Sequence, residues 1–199
     1  MPPKALPGVP ASPCQDGRVS TPAPDAGVRA ARPADAPALG RVHARAWAAS
    51  YGDLLPAAPD ETQLADAWTQ AVTAPPSSRH RVLVATAGEH VVGFAALAPS
   101  PDADAAEGAD AELLVLLVDP DALGRGHGSR LLNASADVLA DSGARRLRAW
   151  VPEPDADRQR FLAGAGFAAD GATRVLDATG DGTSTLREVR MSTALPARP

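Results

Sequence analysis

The stretch that most restricts the fold is Glu112-Leu113-Leu114-Val115-Leu116-Leu117-Val118-Asp119-Pro120, an apolar run without alternation that stops at Asp-Pro. It is too short to cross a membrane and has no polar face. Such a run predicts a central strand covered on both faces. Soon after it, Gly124-Arg125-Gly126-His127-Gly128-Ser129-Arg130-Leu131-Leu132 sets three glycines at alternate positions and opens a helix at once. Glycine permits positive φ and close backbone approach, so successive N–H groups can converge on an anion that the helix N-terminus also favours. Arg125 adds a fork of donors suited to phosphate. The turn has neither the GxxxxGK of a P-loop nor the full GxGxxG, followed by an acidic residue after the next strand, of a dinucleotide fold.

Around this centre the pattern predicts alternating elements. Val28–Arg32 reads as a strand, with Asp35 as N-cap of a helix carrying Leu39, Val42, His43, Ala46 and Trp47. A second helix spans about Asp60–Val72 and stops before Pro75-Pro76. Arg81–Thr86 and Val91–Ala98 form a hairpin about Ala87-Gly88-Glu89-His90, and a polar loop at 99–109 precedes the apolar strand. After the glycine turn come a helix ending at Gly143, a strand at Leu147–Val151, a short helix at Asp155–Ala163, and strands at Phe167–Leu176 and Leu186–Leu195. The order β-α-α-β-β-β-α-β-α-β-β defines an α/β fold, a single mixed sheet with helices on both faces.

Residues 1–27 hold seven of the 20 prolines and no aromatic residue, which predicts a disordered tail before a domain over 28–195 and a short C-terminal tail at 196–199. The single cysteine, Cys14, falls in that tail, so neither a disulfide framework nor a nucleophilic thiol is expected. Four histidines without metal-ligand spacing predict no metal. A net charge of −5 argues against nucleic acid as partner. With no apolar stretch near ~18 residues and no signal-peptide pattern at the N-terminus, a cytoplasmic protein away from membranes is expected.

The apolar strand and glycine turn together resemble the acetyl-CoA-binding motif of the GNAT N-acetyltransferases. Trp150-Val151-Pro152-Glu153-Pro154-Asp155 through Phe161-Leu162-Ala163-Gly164-Ala165-Gly166-Phe167 is similar to that family's second cofactor motif. Ala46-Trp47-Ala48-Ala49-Ser50-Tyr51-Gly52-Asp53-Leu54-Leu55-Pro56 resembles the first-helix junction of many bacterial members. With three motifs in order, the resemblance covers about residues 28–195.

The resemblance implies acetyl-CoA as co-substrate and a primary amine of a small molecule or peptide as acceptor. Backbone N–H groups of Arg125, Gly126, His127, Gly128 and Ser129 would hold the diphosphate, with Gly124 shaping the turn or merely letting the chain bend. The backbone of Leu116, Leu117 and Val118 would pair with the pantetheine arm, the amide near Leu117 facing the oxyanion. Asp155 stands where the family often has Asn at its second cofactor motif. The side chain of His127 either faces solvent or approaches the phosphates. Glu112 is the candidate general base, acting through water, or else it marks a solvated strand end. Tyr51, the single tyrosine, is the remaining candidate general acid, and with Trp47 it is a candidate wall of the acceptor pocket. Asp53, Asp110 and Glu153 are further candidates to make that pocket acidic.

Two departures stand out. Leu123 occupies a position where the family prefers Gln or Arg, and Leu162 one where many relatives carry a Tyr that protonates the leaving thiolate. They keep open a non-catalytic acyl-CoA-binding module as the alternative to an acyltransferase. Homodimers are common among relatives, and the sequence leaves oligomeric state open.

Overall fold

Short-range signals set the elements. Gly88 takes a φ of +60° between two apolar segments and closes the hairpin, while Gly143 (φ +87°) and Gly166 (φ +88°) follow the ends of two helices. The computed structural model describes residues 26–51, 60–177 and 185–197. Its elements are β1 (Ala26–Ala30), α1 (Ala36–Tyr51), α2 (Glu61–Thr73), β2 (Arg81–Ala87), β3 (His90–Pro99), β4 (Asp110–Val118), α3 (His127–Asp141), β5 (Arg146–Pro152), α4 (Ala156–Gly164), β6 (Ala168–Asp177) and β7 (Thr185–Ala194). The tail expected over 1–27 lies outside the described residues except for Ala26 and Gly27, which open β1.

The strands form one mixed sheet in the order β1-β2-β3-β4-β5-β7-β6. All neighbours are antiparallel except β4 and β5. On one face, Leu131, Leu132 and Leu139 of α3 and Leu162 of α4 join Leu83, Leu97, Leu147 and Val151 in the larger core. On the other, Leu39, Val42 and Ala46 of α1 pack on Val84, Phe94 and Leu117, with Trp68 and Val72 of α2 at the edge. Alternating strand residues therefore divide between two helical layers.

Helix entry corrects one expectation. Asp35 is not the N-cap of α1, because a 3-10 turn at Pro33–Asp35 precedes the helix. Its carboxylate turns back to Arg29 (2.6 and 2.8 Å) and to the Arg32 N–H (2.7 Å). A guanidinium fork outcompetes the helix amides for that carboxylate. Asp60, by contrast, caps α2 by accepting from Thr62 N (2.8 Å) and Gln63 N (2.9 Å).

The apolar strand also departs from the simple reading. Leu113 and Leu117 are buried, but Leu114 is 53% exposed. Two causes coincide. Along β3, Ala96 pairs with Val115 and the next residue, Leu97, pairs with Leu113, so Leu114 is the extra residue of a β-bulge. On its other side β4 pairs with β5 only through Asp110–Glu112 and Arg146–Arg148, after which the strands part. The second half of β4 thus has a neighbour on one edge only.

Candidate active site

The gap between the parted strands is a cavity of about 570 Å³. Its floor is Leu113–Val118, one wall is Ala149, Trp150 and Val151 of β5, and Phe161 and Leu162 of α4 close the base. Ala46, Ala49 and Ser50 of α1 border the opposite side. The size suits a small-molecule arm.

One end of the cavity is the start of α3. Gly124 (φ +73°) and Gly126 (φ +78°) hold left-handed conformations that a side chain would strain. Gly126 is the N-cap and offers no side chain to the helix amides. Arg130 N already bonds Gly126 O (3.1 Å), while a helix leaves its earliest N–H groups without internal partners. Gly124, Gly126, His127, Gly128 and Ser129 all border the cavity. A Cβ on Gly128 would sit 3.5 Å from the Phe161 ring and 3.8 Å from Leu116, so this glycine keeps the cavity open between helix and strand. Positive backbone geometry and an uncapped helix start make a cradle for a diphosphate, and an open strand edge beside it suits an extended amide arm. The residues present fit coenzyme A.

Other expected residues fall as follows. Leu116, Leu117, Val118 and Asp155 line the cavity, and so does the exposed Leu123. The Asp155 carboxylate caps α4 through Arg158 N (3.0 Å) and pairs with Arg158 Nε (3.3 Å). Arg125 is exposed and outside the lining, its carbonyl accepting from Arg130 Nη1 (3.0 Å). The His127 side chain is buried, with an Nδ1 that has no hydrogen-bond partner. Burial, reinforced by Arg130 and Arg125, lowers its proton affinity. Trp47 does not border the cavity; its ring packs edge-on against His43 at 4.9 Å. The Tyr51 side chain and Asp53 lie outside the described structure.

Glu112 is 4% exposed and does not line the cavity, although the adjoining Leu113 does. Its Oε2 is buried without a hydrogen-bond partner. Burial raises its proton affinity; Asp102 and Glu188 add to the effect, and Arg174 and Arg148 oppose it. The expectation of a solvated strand end is therefore corrected: the carboxyl is enclosed among charged groups. Asp110 accepts from Arg148 Nη2 (2.6 Å), and Glu153 lies 3.7 Å from Arg187. Neither lines the cavity.

Two features had no local signal in the sequence. One is the bulge at Leu114. The other is the anchoring of the 99–109 loop, where Asp102 and Asp104 bind Arg148 of β5 and Arg190 of β7. Among the described residues no group of His, Cys, Asp and Glu is placed to hold a metal, and no helix is long and apolar enough to cross a membrane.

Comparison with known proteins agrees with this geometry. The family model described as Acetyltransferase (GNAT) family matches residues 42–167. No curated protein sequence matches the chain significantly. Among solved structures, ribosomal-protein-alanine N-acetyltransferase from Brucella melitensis is 23% identical with a TM-score of 0.66, over 85% of this chain and 99% of that one. The ribosomal-protein-S18-alanine N-acetyltransferase of Escherichia coli is 19% identical with a TM-score of 0.62, over 87% and 96%. The Salmonella typhimurium protein yncA, solved with its cofactor acetyl-CoA, is 21% identical with a TM-score of 0.64, over 87% and 95%. The single mixed seven-stranded sheet with its helices matches the fold of these acetyltransferase structures. The chain belongs to the GNAT acetyltransferase family.

Proposed function

We propose that this protein moves an acetyl group from acetyl-CoA to a primary amine of a small molecule or peptide, by direct attack of the amine on the thioester. The parting of β4 from β5 beside the uncapped start of α3 carries the reading, because it joins a diphosphate cradle to an open strand edge. Acetyl-CoA supplies an acyl group already activated for attack. The protein's own groups do the rest. Main-chain amides from Arg125 to Ser129 hold the diphosphate, and the edge of Leu116–Val118 aligns the arm. In this reading the main-chain amide near Leu117, in the half of β4 that has parted from β5, stabilises the oxyanion.

An amine must lose its proton to attack. Glu112 is the base of this reading: its burial favours proton uptake, and its position behind the cavity lining requires a water relay. Leu162, 2% exposed, offers no hydroxyl to the leaving thiolate. A thiol of pKa ~8.5 departs as thiolate at tolerable cost. Tyr51, at the end of α1, is the remaining tyrosine for that role. The reaction belongs in the cytoplasm, where acetyl-CoA and free amines meet.

Acetyl-CoA binding by calorimetry, followed by thiol release against a panel of amines and N-terminal peptides, tests the reading. Glu112→Gln is expected to lower kcat/KM at neutral pH roughly 100-fold while leaving acetyl-CoA affinity unchanged. Tight acetyl-CoA binding with no acceptor acetylated would instead identify the non-catalytic module that Leu162 and Leu123 suggest.

A further inference from the structure

Two buried atoms that could satisfy each other do not. Glu112 and Arg148 stand opposite in the parallel register of β4 and β5. Glu112 Oε2 and Arg148 Nε are both buried, and neither has a hydrogen-bond partner. An orphaned acceptor and an orphaned donor in a 4% exposed carboxyl and a 1% exposed guanidinium are each costly. Facing residues of opposite charge pair unless something holds one of them elsewhere.

The loop between β3 and β4, together with Asp110 at the start of β4, holds Arg148. Its Nη1 donates to Asp104 (2.8 Å) and Asp102 (3.2 Å), and its Nη2 to Asp110 (2.6 Å) and the Asp104 carbonyl (3.2 Å). Arg190 is fixed by the same two carboxylates, at 2.7 and 2.8 Å through Nη1, and by Asp170 (2.8 Å) through Nε. Asp102 also accepts from Trp150 Nε1 at 3.3 Å, and Trp150 lines the cavity. The third cation, Arg174, is bound to Glu188 at 2.6 Å. Arg148 of β5, Arg174 of β6 and Arg190 of β7 are thus each committed to other carboxylates.

We propose that Asp102 and Asp104 are positioning residues: by binding Arg148 and Arg190 they keep both guanidinium groups off Glu112, leaving its carboxyl unpaired and available to accept a proton. The loop works as a latch. Without it, Arg148 turns towards Glu112, the two orphaned atoms pair, and a free carboxylate becomes one half of a buried ion pair. Removal of the Asp102 charge acts in the same direction, since that charge also disfavours ionised Glu112.

The inference rests on Glu112 as base, and its test reads Glu112 without turnover. The full chain, carrying glutamate labelled with carbon-13 at the side-chain carboxyl, is titrated by NMR, and Glu112→Gln assigns the resonance. In the parent, Glu112 should titrate above the other glutamates. Asp102→Asn should lower its midpoint by about one unit, and Asp102→Glu should restore it. Asp104→Asn, at a 59% exposed side chain, should lower it in the same direction and guards against misfolding of the Asp102 variant. Midpoints unmoved in folded Asp102→Asn and Asp104→Asn proteins, or a parent Glu112 within the ordinary range, would overturn the latch. Undiminished acetylation by Glu112→Gln would remove the base and leave a shifted titration, and so the latch, standing.

Discussion

A single methylene decides how much room the cavity has at Gly128. The site for its Cβ already touches Phe161 and Leu116 at van der Waals distance, and its backbone is unstrained. Gly128→Val should therefore fold, place two methyl groups between α3 and α4, and weaken coenzyme A binding at least tenfold, about 1.4 kcal/mol. Calorimetry checks this, with thermal unfolding of the free protein as control. His43 offers a second residue-scale test. Enclosed by Trp47, Trp68 and Phe94, with Trp68 Nε1 donating to its Nδ1 at 3.2 Å, it is lowered by burial from 6.5 to about 4. The unfolded chain protonates first as pH falls, so this stability is complete above about pH 6.5 and drains away towards pH 4. The loss is on the order of 2 kcal/mol after allowance for partial exposure. Urea midpoints at pH 7 and pH 5 should diverge in the parent and converge in His43→Gln. Asp35 and Asp102, held below the usual carboxylate range, lose their contribution only at lower pH.

Among the elements, α2 and α4 both begin with an aspartate cap but differ in what they carry. Asp60→Ala should cost about 1 kcal/mol of stability and leave cofactor affinity alone, because α2 does not border the cavity. Asp155→Ala should cost a similar amount and also weaken coenzyme A binding, since α4 brings Phe161 and Leu162 to its base. Chemical unfolding paired with calorimetry separates the two. These elements were legible because their signals are local: a capping aspartate, a glycine stop, a proline break. The glycine cradle was legible for the same reason. The bulge was not, because Leu113–Val118 looks alike on both faces and the extra residue is defined by its pairing with β3. Trp47 sits at correct helical spacing for either a cavity wall or a core, and only the packing of α1 on Trp68 and Phe94 separates these roles. The latch was hidden by distance along the chain, with Asp102 meeting Arg148 and Arg190 from 46 and 88 positions away.

At the scale of the whole molecule, β1–β4 with α1–α3 form one plate and β5–β7 with α4 form another. Where the central strands still touch, three residue pairs, the 3.2 Å and 2.7 Å amide bonds from Arg146 and Arg145 to Ala109, and the carboxylate clasp join them. Beyond that seam the plates gape like a half-drawn zip. A guest lying in the gap and bonding to the bare edge of Leu116–Val118 would act as the missing teeth, so occupancy and rigidity of the second plate rise together. A cofactor bound in that opening would become a structural member of the fold it enters.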